Sequence, residues 1–199
     1  AEVNDGHAKN NPLAQTRSWQ FNELSFTDDD EANPLIEPGT RRQDCGQVTD
    51  GAAAVVLASE AFATEYAKRN GMKLEDIPRI TGWGHRNSVL KLKDKFELSR
   101  DSEYVFPHVR QTIEDAWRRA GIQGTQDLDG IETHDCFTPT QYAPLDHFGL
   151  TPPGQSWQAV EDGSIDRGGR CPVNMRDGLI GAGNNVGATG VRMVLDGAR

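Results

Sequence analysis

Apolar positions recur along this chain with two different periods, and each period predicts a type of element. The clearest helical period lies in FPHVRQTIEDAWRRAG at 106–121, where charged residues occupy the opposite face and Gly121 stands at a typical helix end. The apolar face consists of Val109, Ile113, Ala116, Trp117 and Ala120. The spacing therefore predicts an amphipathic helix that packs on one side.

A second helix is predicted directly after residue 59. Ser59 is a good N-cap residue, and Gly71 stands where a helix commonly stops. The apolar stripe between them consists of Phe62, Tyr66 and Ala67. These three residues predict a helix with one buried face.

Two further helices are predicted towards the end of the chain. One has Thr138 as its N-cap, Pro139 at its first position and Gly149 at its end. Its apolar face consists of Tyr142, Leu145 and Phe148. The other begins at about residue 188 and runs to the end of the chain.

Short apolar runs between turn residues predict strands. GAAAVVLAS at 51–59 has the composition of a strand buried on both faces, and PRITGWGHRNS at 78–88 predicts a second strand. DLDGIETHD at 127–135 predicts a short strand, whereas 91–106 is charged and loop-like. Strands that alternate with helices indicate an α/β layered fold with a parallel or mixed sheet.

The first part of the chain has a different composition. Residues 1–43 are rich in Asn, Asp, Pro and Gln, which predicts a long loop or arm that lies on a neighbour. The chain starts in this loop-like sequence and stops directly after the last helical pattern. We therefore expect both ends to continue in a longer protein.

The charge of the chain restricts its partners. The net charge of -9 disfavours a nucleic-acid surface, because phosphate binding needs clustered basic residues and the run KLKDK at 91–95 is interrupted by Asp94. No apolar run has the roughly 18 to 20 residues of a membrane helix, and the polar start is no signal peptide. These features favour a cytoplasmic protein, and a local basic patch still allows small anionic ligands.

The three cysteines do not form a disulfide or zinc pattern. Cys45, Cys136 and Cys171 are odd in number and have no CxxC spacing. His134, Cys136, His147 and Cys171 lack the paired spacing of zinc ligands, so we expect no metal. Cys45 and Cys171 are expected to be structural. The remaining histidines, expected at the surface or in packing, are His7, His85 and His108.

Two motifs carry candidate chemistry. GAGNNVGATG at 181–190 allows a dinucleotide turn, a structural glycine turn or an acyl-ligand loop, since glycines let a backbone approach a ligand closely. In THDCFTPTQY at 133–142, His134 and Cys136 share one side of the predicted strand and Asp135 points the other way. A thiol beside an imidazole at a helix start favours reactivity, but a buried cysteine and a hydrogen-bonded histidine fit the same spacing.

Three stretches in this order resemble the thiolase superfamily. They are DCGQVTDGAAAVVLAS at 44–59, ETHDCFTPTQYAPLDHFGL at 132–150 and GGRCPVNMRDGLIGAGNNVGATG at 168–190, and NNPLAQ at 10–15 is similar to the family's loop segment. The resemblance is to the sterol-carrier-protein-type and archaeal-type thiolases, whose second signature reads HDCF. It covers most of the chain from about residue 44.

The resemblance implies a fold and an assembly. Thiolases stack two related α/β halves as five layers, αβαβα, usually as dimers or tetramers. By this comparison, residues 1–43 form a loop or arm. Residues 44–75 resemble the end of the first half, and residues 76–199 resemble an incomplete second half. The family's nucleophilic cysteine belongs to the first half, and Cys45 does not match it.

The resemblance also implies roles for site residues. Cys136 aligns with the proton-transferring cysteine of this branch, and His134 with the group that holds a water at the oxyanion site. Asn184 stands where the family has the histidine of a glycine-histidine-proline turn. The coenzyme or acyl loop would contain Gly183, Gly187 and Ala188.

The asparagine changes the expected chemistry. An amide can donate a hydrogen bond to an oxyanion, but it cannot take a proton or carry a positive charge. Oxyanion binding can therefore survive at Asn184 while activation of a nucleophile fails. Arg176 and Asp177 in NMRDG replace the family's small-residue turn, which places them near the pocket.

Three functions fit this resemblance. The first is acyl transfer on a 3-ketoacyl-CoA in fatty-acid or sterol metabolism, with a coenzyme A thioester as substrate and no covalently bound cofactor. The second is an aldolase of the same fold that cleaves hydroxyacyl-CoA side chains with a small acyl-CoA-binding partner subunit; known examples use tyrosines where this chain has His134 and Asn184. The third is a non-catalytic acyl-CoA or lipid-binding module.

Overall fold

A computed structural model describes residues 1–198. The helices are α1 (Glu2–Ala8), α2 (Glu60–Arg69), α3 (Leu92–Ser99), α4 (Pro107–Ala120), α5 (Thr138–Phe148), α6 (Trp157–Glu161), α7 (Gly178–Ala182) and α8 (Thr189–Gly197). Short 3-10 turns lie at Gln15–Ser18, Arg42–Asp44, Leu74–Asp76, Thr125–Asp127 and Val186–Ala188. Strands β1 (Leu35–Glu37) and β2 (Thr40–Arg41) form an antiparallel hairpin. Within residues 1–198, no helix has the length and apolar character needed to cross a bilayer.

The helices predicted at 106–121, after Ser59 and from about 188 are confirmed. Phe62 donates its backbone N–H to Ser59 Oγ, which caps α2. Gly121 ends α4 in the left-handed conformation, with a φ of 75°. Gly149 ends α5 in the same conformation. Helix α5 begins one residue earlier than predicted, so Thr138 is its first residue and not its N-cap.

One cluster of buried residues forms the core between residues 131 and 173. It consists of Ile131, Leu145, Leu150, Ala159, Ile165, Cys171 and Val173, with Leu128, Phe148 and Val160 packed against it. Cys171 is fully buried here, which confirms a structural role for this thiol. Burying each large apolar side chain stabilises the fold by about 1.5–3 kcal/mol. This cluster therefore holds α5, α6 and the turns after them together.

The strands predicted at 51–59 and 78–88 are absent, which is a correction to the sequence analysis. Residues 51–59 have no regular secondary structure, and Val56 and Leu57 are 91% and 74% exposed. A strand needs a neighbour to exchange backbone hydrogen bonds, and the part of the chain that the structure describes supplies no neighbour for this run. The predicted strand at 127–135 is reduced to one isolated bridge, between Ile131 and Val173.

Helix α2 is also exposed on the face predicted to be buried. Phe62 and Tyr66 are 57% and 50% exposed, and Ala67 is the buried member of the stripe. The segment 91–106, expected to be a loop, contains α3, and none of its residues is buried. Residues 51–99 thus form helices from local signals but lack a surface on which to pack them.

The arm contains more structure than predicted. Instead of a loop throughout, residues 1–43 contain α1 and the β-hairpin. Helix α1 packs on α7, where Gly181 lets Ala8 and the carbonyl of Asn4 approach closely. Asn4, His7 and Ala8 are buried in this contact. The expected neighbour of the arm is therefore the region around α7, while the three-part division of the chain stays a prediction.

Candidate functional site

A short segment of backbone joins the two predicted site loops. Gly46 donates its N–H to the carbonyl of Cys136 at 2.8 Å. Asn184 donates its N–H to the carbonyl of Gln47 at 2.7 Å, and Thr49 donates to the carbonyl of Asn184 at 3.0 Å. The segment 46–49 therefore lies between the HDC motif at 134–136 and the glycine-rich loop at 181–190, and it is hydrogen-bonded to both.

This arrangement depends on a glycine that the sequence analysis did not single out. A Cβ atom on Gly46 would lie 3.1 Å from the carbonyl oxygen of Cys136 and 3.2 Å from that of Leu179. Both neighbours are backbone atoms, which cannot rotate away. Gly46 thus lets the connecting segment pass close to the two loops.

The side chains of the HDC motif alternate as predicted. His134 is exposed, Asp135 is fully buried and Cys136 is partly buried. Cys136 stands just before α5, and its sulfur lies 3.7 Å from Oγ1 of Thr140. His134 and Cys136 are therefore accessible to a ligand at the start of this helix.

Asp135 connects the HDC motif to α7. Its carboxylate accepts the backbone N–H of Leu179 at 2.6 Å and that of Ile180 at 3.4 Å, and it also accepts from Nδ2 of Asn4. Burial raises the pKa of Asp135 to about 6, and the two backbone donors oppose that rise. Gly178 leaves room for this carboxylate, since a Cβ atom there would collide with it. Sequence reasoning placed Asp135 correctly but assigned it no part in the site.

The amide of Asn184 has a defined orientation. Its Oδ1 accepts the backbone N–H of Val186 at 3.1 Å and lies 3.5 Å from Oγ1 of Thr189. Because a backbone N–H can only donate, the oxygen and not the nitrogen of the amide must face Val186. Within residues 1–198, the Nδ2 group of Asn184 makes no hydrogen bond and remains available as a donor.

The rest of the glycine-rich loop is held from one side. Gly183 has a φ of 102°, and a Cβ atom there would lie 2.8 Å from Oγ1 of Thr49. Asn185 donates from Nδ2 to Thr49 Oγ1 at 3.1 Å and to the carbonyl of Asp50 at 2.9 Å. These contacts explain why a glycine is needed at Gly183.

Gly187 and Ala188 lie in the 3-10 turn at Val186–Ala188, and nothing lies within 4 Å of a Cβ atom built on Gly187. Their part in binding stays a prediction. A dinucleotide turn would connect a strand to a helix. Helix α7 precedes Gly183 in this chain, so the dinucleotide alternative is wrong.

A cluster of acids lies behind the loop and was not predicted from the sequence. Arg192 lies 3.7 Å from Oδ1 of Asp177 and 3.7 Å from Oδ2 of Asp196, and it donates to the carbonyl of Gly178. Burial raises the pKa values of Asp177 and Glu132 to about 7 each. Asp177 is fully buried with a φ of 83°, so its side chain faces the interior, whereas Arg176 is partly exposed and lines a second cavity of about 330 Å³.

Two histidines are held by contacts inside the fold, and one of them, His7, was expected at the surface or in packing. His147 is fully buried, and its Nε2 accepts the backbone N–H of Phe106 at 3.0 Å. His7 is buried, with Nδ1 3.0 Å from the carbonyl of Asn174. Cys45 is partly buried, and burial raises the pKa of its thiol. These three side chains belong to the packing of the fold.

A cavity of about 350 Å³ lies between the arm and the connecting segment. Its wall includes the aromatic rings of Trp19, Phe21 and Phe26, together with Gln47 and Ile180. None of His134, Cys136 and Asn184 lines it. The cavity therefore adjoins the elements that carry the site without containing the candidate groups.

Known proteins of three kinds match nearly the whole chain. Benzoylsuccinyl-CoA thiolase subunit BbsB of Thauera aromatica is 31% identical over 96% of this chain and 45% of its own length. Acetyl-CoA acetyltransferase of Methanothermobacter thermautotrophicus is 30% identical over 95% and 45%. Sterol carrier protein 2 of Bos taurus is 29% identical over 97% and 33%. The chain thus spans less than half the length of these relatives.

A solved structure and a family model agree with these matches. The Ltp2-ChsH2(DUF35) aldolase superposes with a TM-score of 0.68 at 22% identity, over 96% of this chain and 46% of that chain, which supports the fold alone. The model described as thiolase C-terminal domain-like matches residues 91–199. The partial thiolase-like α/β fold predicted from the three stretches is confirmed, and the chain belongs to the thiolase C-terminal domain-like family.

Proposed function

We propose that this chain supplies the proton-transfer and oxyanion-binding groups of a thiolase-like acyltransferase that acts on a 3-ketoacyl-CoA. The observation that carries the proposal is the orientation of Asn184. Its oxygen is turned towards Val186 N–H, and its Nδ2 group is free to donate, on a loop joined through residues 46–49 to Cys136. A thioester enolate needs such a donor beside a proton carrier.

The proposed roles follow from the chemistry of each group. A nucleophilic thiolate, which this chain does not provide, adds to the 3-keto carbon, and the bond between carbons 2 and 3 then breaks. The electron pair passes to the thioester as an enolate, whose oxygen accepts from Nδ2 of Asn184 and from a water held by His134. Cys136 gives its proton to carbon 2, which releases acetyl-CoA. The thiol of free coenzyme A then gives its proton back to Cys136, and its sulfur takes the acyl group and releases the nucleophile as a thiolate.

The asparagine limits this reaction. Asn184 cannot accept the proton of the nucleophilic thiol, so another group must activate it or the step is slow. A positioned general base contributes about 10²- to 10⁴-fold to such a step. We therefore expect thiolysis to be slow relative to exchange of the protons on carbon 2 of acetyl-CoA.

Deuterium exchange and acyl transfer separate these steps. The natively purified protein, with any subunits that accompany it, is incubated with acetyl-CoA in D₂O and, separately, with a 3-ketoacyl-CoA and coenzyme A. Cys136→Ala is expected to abolish both reactions. Asn184→His is expected to raise thiolysis, whereas Asn184→Leu lowers both reactions by about 10²-fold, the effect of losing one oxyanion donor. Reactions that are unaffected by Cys136→Ala would refute the proposal.

A retro-aldol reaction is the second candidate, and Asn184 favours it. Cleavage of a hydroxyacyl-CoA needs a base at the hydroxyl and a donor for the enolate, but it needs no activated nucleophilic thiol. An asparagine in place of the histidine would then not slow this reaction. A ketone or aldehyde together with an acyl-CoA identifies this reaction. Binding of acyl-CoA in calorimetry without either set of products identifies a non-catalytic binding module.

The proposed activity requires further polypeptide, and the exposed apolar run agrees with that requirement. Val55, Val56 and Leu57 are exposed, although burial of their side chains would stabilise the fold by about 1.5–3 kcal/mol each. We propose that the native assembly, a dimer or tetramer or a complex with a small acyl-CoA-binding subunit, covers residues 51–58. Native mass spectrometry tests this. A monodisperse monomer of residues 1–199 that unfolds cooperatively would contradict it.

A further inference from the structure

We propose that Asp135 is a positioning residue that sets the placement of the Cys136 thiol relative to the Asn184 amide. The proposal rests on the proposed function, because it assigns the two groups to one reaction. Asp135 touches neither a reacting atom nor a ligand in this scheme. It acts through the backbone that carries Cys136 on one side and the helix that leads to Asn184 on the other.

The first part of the argument is connectivity. Asp135 directly precedes Cys136, so a backbone shift at Asp135 also moves the thiol. The carboxylate accepts the N–H groups of Leu179 and Ile180 in the first turn of α7, which is five residues long. Asn184 follows the end of α7 by two residues. Helix α7 is therefore a short rigid spacer between the carboxylate and the amide.

The second part is the closeness of the fit around the carboxylate. Asp135 is fully buried, and Gly178 passes so close that it has no room for a Cβ atom. On the other side, Nδ2 of Asn4 in α1 donates to Oδ2 of Asp135 and, at 3.2 Å, to Oε1 of Gln141 in α5. Donors from two different helices therefore hold the carboxylate, and Gln141 extends the network to a third.

The third part concerns what a carboxylate does here that an apolar side chain would not. An apolar residue of similar size avoids the desolvation cost of a buried charge and is often as stable or more stable. It cannot align N–H donors that come from separate elements. Within residues 1–198, the charged side chain of Arg192 acts on Asp135 but does not replace these hydrogen bonds. The choice of an acid thus favours orientation over stability.

A reciprocal exchange of side chains tests the proposal. In Asp135→Asn, the new amide can still accept from Leu179 N–H, but its NH₂ group faces the NH₂ group of Asn4. In the double variant Asn4→Asp/Asp135→Asn, the pair is restored with donor and acceptor reversed. Gln141 can then rotate its amide so that Nε2 donates to the new carboxylate at position 4. This rotation breaks no hydrogen bond of Nε2, because Gln141 Nε2 and Asn4 Oδ1 have no hydrogen-bond partner in the wild type. Asn4→Asp alone places two carboxylates together and serves as the opposite mismatch.

The expected result is a loss in kcat that the double variant reverses. We expect kcat for deuterium exchange at acetyl-CoA to fall about 10- to 100-fold in Asp135→Asn with KM within about twofold, as for a displaced reacting group. The double variant should recover most of this loss. Equal kcat in wild type and Asp135→Asn would overturn the proposal, and so would a double variant that is as slow as Asp135→Asn while its melting temperature is restored.

A second readout is independent of turnover. The rate of alkylation of Cys136 by iodoacetamide, measured on its peptide by mass spectrometry, should change several-fold in Asp135→Asn and return in the double variant. If wild type shows no acyl-CoA reaction but alkylation follows this pattern, the proposed function fails and the positioning role stands. If alkylation is the same in all variants, the positioning role fails. Should Asp135→Asn not fold, Asn4→Ala removes one donor and is expected to show the same changes to a smaller extent.

Discussion

Residues 128–198 and residues 51–99 both contain apolar side chains, but the first region buries a core and the second leaves most of its large apolar side chains exposed. Val173 and Leu145 are 0% and 1% exposed in the first region, whereas Val56 and Leu57 are 91% and 74% exposed in the second. The first region brings its own neighbours through α5, α6 and the turns between them. The difference shows that an apolar run in the sequence favours burial, whereas actual burial requires a second surface against which the run can pack.

The candidate site lies in the region that buries its apolar residues. Its loops are held by the hydrogen bonds of Asp135, Asn184 and the segment 46–49, most of which connect residues more than 40 positions apart. The exposed region contributes none of these contacts. The candidate site is thus held by hydrogen bonds between distant parts of the chain, in the region that has the buried core.

Hydrogen exchange should show the largest difference between the two regions. Amides at 51–58 make no hydrogen bond within residues 1–198, whereas the N–H groups of Asn174, Leu179 and Gly181 donate to buried acceptors. We expect the buried amides to exchange up to about a thousandfold more slowly than those at 51–58, because protection follows the free energy of local opening. Equal exchange in both regions would remove the comparison. Slower exchange at 51–58 in the native assembly would show that another surface covers these residues there.

A pair of leucine variants should show the next largest effect. Leu145→Ala leaves a cavity in the core and is expected to lower the free energy of unfolding by about 2–5 kcal/mol. Leu57→Ala removes an exposed side chain and is expected to change it by less than about 0.5 kcal/mol. Denaturant unfolding of the same preparation measures both. If Leu57→Ala lowers the free energy of unfolding by a similar amount in the native assembly but not in the isolated chain, a partner buries this side chain.

Two glycine variants test the contact between the site loops. Gly46→Ala brings a methyl group within about 3.2 Å of two carbonyl oxygens and is expected to destabilise the protein by about 1–3 kcal/mol and to lower activity. Gly190→Ala in α8 is the control, because nothing lies within 4 Å of its Cβ position. The control should be neutral or stabilising by about 0.5–1 kcal/mol. Thermal unfolding and the exchange assay decide, and equal behaviour of the two variants would show that the loops tolerate displacement.

The buried acids predict a smaller effect that depends on pH. The pKa values of Asp177 and Glu132 are raised to about 7 by burial, so the folded state holds more protons than the unfolded state between about pH 4 and 7. Their contribution to stability is therefore present below about pH 4 and lost as the pH rises through 7.

Asp177→Asn should reduce this dependence. The amide keeps the shape of the side chain and tolerates the left-handed backbone, but it carries no charge beside Glu132 and Asp196. We expect a melting temperature about 2–4 °C above wild type at pH 8 and a smaller difference at pH 5. Exposed Glu161→Gln is the matched control. A difference that is the same at both pH values would mean that the carboxylate of Asp177 does not titrate in this range.

The predictions that succeeded from the sequence relied on local signals. Helix α4 was marked by its apolar face and by Gly121, and the alternation of His134, Asp135 and Cys136 follows from neighbouring positions on extended backbone. The family was found from three ordered stretches. Among the predictions that failed, the strands at 51–59 and 78–88 required hydrogen-bond partners from elsewhere.

The sequence by itself determined helices α2, α4 and α8 and the thiolase-like family, and it predicts that Asn184 stands in the place of a histidine. Only the tertiary structure decided that Asp135 joins two loops, that Gly46 must be small, and that the Asn184 amide turns its oxygen towards Val186. The physical reason is that caps and periodicity act over a few residues. Contacts such as Asp135 with Leu179, by contrast, depend on which distant backbone groups the fold brings within hydrogen-bonding distance.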